Sequence, residues 1–131
     1  RSTVDLTMLF TSAVGSAPDG PELTRVRRRE DIEGWIREHL LDDDLSPGRI
    51  ASAHFMSVRA LHALFAEADT TVGTLVRALR LERARELLIL HPTWTLAEVG
   101  RWSGFSDPSY FSRVFRREFG MSPGEFRAAG A

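Results

Sequence analysis

A chain of 131 residues, 43% hydrophobic and 27% charged, suffices for one domain or two very small subdomains and can bury roughly two-thirds of its unfolded surface. It has no cysteine, which excludes disulfide frameworks, thiolate zinc sites and cysteine nucleophiles. The net charge of −1 by itself argues against a nucleic-acid partner, which usually wants a basic domain. That sum hides a segregation of signs. Residues 1–45 hold 6 Arg against 10 acidic groups, net −4, whereas residues 46–131 hold 11 Arg against 8, net +3. All 17 basic residues are arginine. This reflects either the codon usage of a GC-rich genome or a preference for the phosphate-pairing guanidinium. No apolar run approaches the roughly 18 residues of a membrane span. The first residues lack the basic stretch and apolar core of a signal peptide, so no membrane partner and a cytoplasmic, reducing compartment are expected.

Strand signals are nearly absent, and helix punctuation recurs along the chain. Residues 5–14 place Leu6, Leu9, Phe10 and Val14 on one helical face. Residues 15–21, rich in Gly, Ser, Pro and Asp, read as a linker. The spacing predicts a helix over about 27–41 that buries Ile32, Ile36 and Leu40, with Trp35 flanking. Asp42, Asp43 and Asp44 sit badly at a helix C-terminus and belong to the next turn. Ser46-Pro47 pairs an N-cap with a first-turn proline. Ser57 caps a short helix carrying Leu61, Leu64 and Phe65. Thr71 opens a long helix over about 72–90, with Leu75, Val76, Leu79, Ala84, Leu87 and Leu88 inward, and His91-Pro92 stops it. Thr95 with Glu98 is a capping box, Asp107-Pro108 starts another helix, and Ser122-Pro123 with Glu125 combines both devices. The expectation is an all-α chain of seven short helices from about residue 27 onward.

An internal repeat underlies this series. At an offset of 50, Phe55 meets Phe105, Ser57 meets Asp107, Leu61 meets Phe111, Leu64 meets Val114 and Phe65 meets Phe115. Each copy reads as a short helix, a tight turn, a capped start, and a helix with apolar residues at i, i+3 and i+4. That is the pattern of a helix-turn-helix. The second turn carries the expected glycine, Gly104, where the first has His54. The long helix between them, at 19 residues, is roughly 28 Å long. Neighbouring major-groove faces on one side of B-DNA lie about 34 Å apart. A rod of that length can set two recognition helices into successive major grooves. A plain helical bundle with the long helix as its core is the competing reading.

At these residues the sequence resembles the DNA-binding domain of the AraC/XylS family of bacterial transcription regulators. The second half carries Gly104-Phe105-Ser106-Asp107, Ser109-Tyr110-Phe111-Ser112-Arg113, Phe115-Arg116-Arg117, Phe119-Gly120, Ser122-Pro123 and Phe126-Arg127. The long helix matches at Arg80-Leu81, Ala84 and Leu87-Leu88, and the first copy at Ile50-Ala51, Ser57 and 61–65. The likeness covers about residues 28–128. Gly100, where the family usually has Ala, and Phe126, where Tyr is common, depart from it. The resemblance implies two helix-turn-helix subdomains, 27–70 and 92–131, joined by a linker helix over 71–91. It implies binding of double-stranded promoter or operator DNA by one chain, and contact with RNA polymerase is a further expectation. Family members usually carry a separate sensing or dimerising domain. Residues 1–26 are then either the remnant of such a domain or a tail, and dimerisation is expected through a region missing here. The acidic first third is expected to lie away from the duplex.

The outward, N-terminal positions of a groove-entering helix read bases. With the apolar positions inward, recognition helices over about 57–67 and 107–118 present Arg59, His62 and Ala63, and Ser109, Ser112 and Arg113. These also match the base-reading positions that the resemblance implies. Arg59 and Arg113 suit bidentate contact to guanine. Arg49, Ser57, Arg101, Arg116 and Arg117 are candidates for phosphate, and Arg116 and Arg117 are equally read as solvated arginines. Arg80 and Arg83 are read as partners for Glu82 or Glu86 along the linker helix. Trp35, Trp94 and Trp102 read as packing. No cofactor is expected. Nor is an enzyme: the phosphate-loop, His-Glu-x-x-His and Gly-x-Ser-x-Gly patterns are absent. His39 with Asp42, Asp43 and Asp44 reads as a solvated acidic patch before a metal site, and no metal is expected. A helical protein-interaction module without DNA binding is the alternative function.

Overall fold

The computed structural model describes residues 20–130, so the helix expected over residues 5–14 lies outside the described part. Seven helices and no strand are present among the described residues. They are α1 (Gly20–Glu38), α2 (Pro47–Ala53), α3 (Val58–Ala66), α4 (Val72–Leu90), α5 (Leu96–Trp102), α6 (Pro108–Phe119) and α7 (Pro123–Gly130).

The helix starts fall where the capping residues stand. Ser46, Ser57 and Thr71 each accept a hydrogen bond from the backbone N–H three residues on, and Asp107 accepts from the Ser109 N–H. Thr95 with Glu98 and Ser122 with Glu125 close reciprocal capping boxes. The exception is α1, which begins at Gly20 rather than near residue 27. The stretch that reads as a linker ends in Pro21, and Glu22 follows it. Proline is preorganised for a first helical turn, and a carboxylate there favours the positive end of the helix dipole, so both extend the helix backwards. The helix also ends earlier than expected, at Glu38, and residues 39–44 form turns.

Two apolar clusters divide the chain. The first joins Ile32 and Ile36 of α1 and Leu40 of the turn after it to Ile50, Leu61, Leu64 and Phe65, and to Val72 and Leu79 of α4. The second joins Leu81, Ala84, Leu87 and Leu88 of α4 to Val99, Phe105, Phe111, Val114 and Phe115. Helix α4 therefore serves both cores and changes sides between Leu79 and Leu81. This is why Leu81 is buried although one inward stripe does not include it, while Leu75 and Val76 are only partly buried.

The two helix-turn-helix units repeat with a corrected register. In the first, the N–H groups of His54 and Met56 donate to the Ala51 carbonyl; in the second, those of Ser103 and Phe105 donate to the Gly100 carbonyl. The offset is thus 49 through the first helix and the turn, and 50 only from the N-caps Ser57 and Asp107 onward. The second turn is one residue longer. Phe105 matches Met56, and the partner of Gly104 is Phe55, not His54. The backbone agrees: Phe55 has φ +56° and Gly104 has φ +102°. Phe55 is 96% exposed, so its ring gains little from packing while its backbone bears the left-handed penalty. Phe55→Gly is expected to raise stability by about 1 kcal/mol, read as a higher melting temperature. An unchanged or lower melting point would show that the ring contributes a contact.

Gly100 packs against the core of the second unit. A Cβ there would stand 2.9 Å from Cδ2 of Phe111. The glycine leaves room for the phenylalanine ring, which rationalises its departure from the usual Ala.

Candidate nucleic-acid interface

Each second helix of the two units buries one stripe and presents the other. In α3, Leu61, Leu64 and Phe65 are buried, and Arg59, His62 and Ala63 are exposed. In α6, Phe111, Val114 and Phe115 are buried, and Ser109, Ser112 and Arg113 are exposed. Pro108, Ser109, Ser112, Arg113 and Arg116 line one open concavity of about 510 Å³, closed at its edge by Ser122. The structure thus brings Ser109, Ser112, Arg113 and Arg116 onto a single face, and Arg117 does not line it.

The arginines separate into engaged and free ones. Within the first unit, Arg28 donates to the His54 carbonyl, Arg29 to the Leu64 carbonyl, and Arg25 and Arg29 both pair with Glu67. These contacts tie α1 to the first turn and to the end of α3. The side chains of Arg59, Arg101 and Arg117 have no hydrogen bond or ion pair among the described residues. Arg113 has only a ring beneath it: its guanidinium carbon lies 5.5 Å from the Tyr110 ring centroid. A cation held over an aromatic face keeps all five donors available while its swing is restricted. Tyr110 is the residue that sequence reasoning passed over. Its i, i+3 spacing to Arg113 was the available signal.

Among the phosphate candidates, Arg116 lies 3.6 Å from Glu125, with both side chains largely exposed. Such a pair is weak and open to exchange. The Ser122 backbone N–H and, secondarily, Arg116 hold the Glu125 carboxyl below its ordinary pKa. The stabilisation this gives is present above the ordinary carboxylate range and is lost as pH falls through the lowered value. Ser57 accepts the Ala60 N–H at 3.0 Å, which leaves its hydroxyl proton to donate. Arg49 differs from the rest. Its Nη1 lies 2.7 Å from both Asp42 and Asp44, its guanidinium lies over Trp35, and the Asp42 hydrogen bond leads the causes raising its pKa. A phosphate at Arg49 would have to compete with two carboxylates.

The acidic turn is accounted for by the same contacts. Asp42 and Asp44 face Arg49, and the His39 ring stacks 3.8 Å from Trp35 while its Nδ1 meets the Trp35 carbonyl at 2.7 Å. Among the described residues, no three His, Asp or Glu side chains are placed to hold a metal ion. Trp35 and Trp94 are partly buried, Trp94 stacked on His91, whereas Trp102 is 48% exposed.

The linker-helix arginines do not pair as their spacing suggests. Arg80 donates from Nε and Nη2 to the Leu40 carbonyl at 3.1 and 2.9 Å, and Arg83 donates from Nε to the Trp102 carbonyl at 2.6 Å. Glu82 faces Arg37 at 3.6 Å. Both acceptors are backbone carbonyls at or just past a helix end, where no intrahelical partner is available; the Leu40 bonds are partly buried and the Trp102 bond is exposed. Burial pulls the Arg80 pKa below the ordinary arginine value.

Two helix-turn-helix units in one chain, with arginines on the outward faces, define the class of a duplex-reading regulator. Residues 50–129 match the model of a helix-turn-helix domain family, and the chain belongs to that family, in its AraC-type branch. It is 45% identical over 107 residues to the transcriptional activator NphR of Rhodococcus sp, covering 81% of this chain and 30% of that protein. It is 33% identical over 128 residues to the transcriptional activator RhaS of Escherichia fergusonii, covering 97% of this chain and 45% of that protein. An AraC-type transcriptional regulator from Chromobacterium violaceum superposes with TM-score 0.71 at 27% identity, covering 84% of this chain and 95% of that structure. The chain spans between 30% and 45% of the length of these two curated relatives. No helix among the described residues is long and apolar enough to cross a membrane.

Proposed function

We propose that the chain is the DNA-reading part of a bacterial transcription regulator, and that it lays α3 and α6 in successive major grooves of one duplex. In this reading Arg59, His62 and Ala63 face the bases of one half-element, and Ser109, Ser112 and Arg113 face those of the other. Ser57, Arg101, Arg116 and Arg117 contact phosphate and set the register, with Arg49 a secondary candidate. The observation that carries the reading is the doubled unit itself. Each second helix buries one stripe and leaves on the other an arginine without an ion pair among the described residues. A protein-interaction module gives no reason for two such faces repeated about one rigid helix. The working compartment is the cytoplasm, where promoter DNA lies. Dimerisation and effector sensing belong to parts of the regulator beyond this chain, and RNA polymerase is its partner at the promoter.

Selection of bound sequences from a random duplex library tests this. Two conserved half-elements about one helical turn apart are expected, with affinity falling steeply as salt rises. Arg113→Ala should relax base preference at one position of one half-element, at a cost of about 1–3 kcal/mol there. Arg116→Ala should weaken all duplexes alike and reduce the salt slope by about 1. An unchanged position-by-position preference for Arg113→Ala refutes the base-reading assignment. Undetectable binding to any duplex at low salt refutes the function.

A further inference from the structure

The two units share no core residue, because α4 gives Val72 and Leu79 to one cluster and Leu81, Ala84, Leu87 and Leu88 to the other. Clefts separate them on both sides. One, of about 320 Å³, runs between the Leu45–Pro47 stretch and Ser106, Asp107 and Tyr110. The other, of about 780 Å³, runs between Leu41 and Asp43 on one wall and Trp102 and Ser106 on the other. Gly104 lines both clefts, and there the units touch backbone to backbone. A Cβ on Gly104 would stand 2.5 Å from the Leu40 carbonyl oxygen and 2.5 Å from Arg80 Nε. The turn that follows the first unit's opening helix, the guanidinium of the linker helix and the second unit's turn therefore meet at one point. The same carbonyl takes two hydrogen bonds from Arg80. A planar fork donating twice to one acceptor fixes direction as well as distance.

We infer that Arg80 is a positioning residue for DNA recognition: by clasping the Leu40 carbonyl beneath Gly104 it sets the distance and phase between α3 and α6, and so the spacing of the half-elements that the chain accepts. The inference rests on the two-groove reading above. One base pair added to or removed from the spacer moves the second groove segment by roughly 3.4 Å and rotates it by about 34°. A clasped pair of units cannot follow that movement. A pair joined by α4 alone can, by pivoting about the two clefts.

The test uses the selected operator and two derivatives whose spacer is one base pair shorter or longer. For the unmodified chain each derivative is expected to bind about tenfold or more weakly, the scale of one lost base-pair register. Arg80→Met should cut that penalty to about threefold or less, because the units then adjust. Its affinity for a duplex carrying a single half-element should stay unchanged, which loss of folded protein would not allow. Arg80→Lys, which keeps the charge and one donor, should fall between, and it carries the test on the same criteria if Arg80→Met does not fold. A full spacing penalty in a folded, DNA-binding variant overturns the inference. So does an unmodified chain indifferent to spacing, which would leave DNA reading intact. Failure of the unmodified chain to bind any duplex overturns both.

Discussion

Gly104→Ala is expected to cost about 3 kcal/mol of stability, measured by chemical denaturation at neutral pH. Two separate terms make it up. At φ +102° an L side chain occupies a region that glycine alone enters freely, which costs about 1–2 kcal/mol. The added methyl must also displace its neighbours, because its carbon would lie 2.5 Å from the Leu40 carbonyl oxygen. That neighbour is backbone in the turn after α1, not the loose end of a side chain, so it yields only by separating the units. Overpacking of this kind costs about 1–3 kcal/mol. Arg80 Nε stands at the same distance, so the methyl also disturbs both hydrogen bonds to the carbonyl. Gly120 supplies the control. It has φ +80° as the left-handed C-cap of α6, but nothing lies within 4 Å of a Cβ there. Gly120→Ala should therefore show the backbone term alone, about 1–2 kcal/mol. If Gly104→Ala costs no more than Gly120→Ala, the turn is not seated against Leu40 in solution and the clasp fails with it.

What could be read from the sequence, and what could not, follows from the range of the interactions involved. Caps are local: Ser46, Ser57, Thr71, Thr95, Asp107 and Ser122 each bond within three residues, so their identity suffices to place a helix start. The buried stripes of α3 and α6 follow from helical period alone. The start of α1 is not legible locally, because Pro21 serves equally as a turn residue and as a first-turn residue, and only the continuation of the chain decides. The register of the two turns is hidden for a different reason. A residue in the left-handed region is usually glycine, and the first unit spends a phenylalanine there, so composition pointed away from the position that the backbone uses. The clasp was illegible in any case. Arg80 and Leu40 stand 40 residues apart, the acceptor is a backbone carbonyl that carries no side-chain signature, and nearer carboxylates offered a plausible local partner. The base-facing candidates lay in between: helical period set which side chains face outward, but not the Tyr110 ring beneath Arg113.

Phe115→Ala is expected to remove about 3–5 kcal/mol and to unfold the second unit ahead of the first. The residue has no exposure, and it is the hub of the second cluster's aromatic packing. Its ring lies 5.8 Å from Phe111, 4.6 Å from Phe119 and 5.8 Å from Phe126, centroid to centroid. Truncation removes the transferred apolar area and leaves a cavity that three rings held by α6 and α7 cannot collapse to fill. The loss falls within the about 5–15 kcal/mol that a whole domain usually has, and the second unit alone is small enough to be marginal. Because the clusters share no residue and α4 changes sides between Leu79 and Leu81, the first unit retains its own core when the second melts. Two resolved transitions are therefore expected for Phe115→Ala, the first losing the tertiary signal of Trp94 and Trp102 and the second that of Trp35. Phe65→Ala, the matching truncation in the first cluster, should reverse the order. A single cooperative transition in both variants would mean that α4 and the Arg80 contact couple the units more strongly than either core holds itself. In that case the spacing of the two recognition helices would be a property of the whole fold, and Arg80→Met would be expected to destabilise both units together.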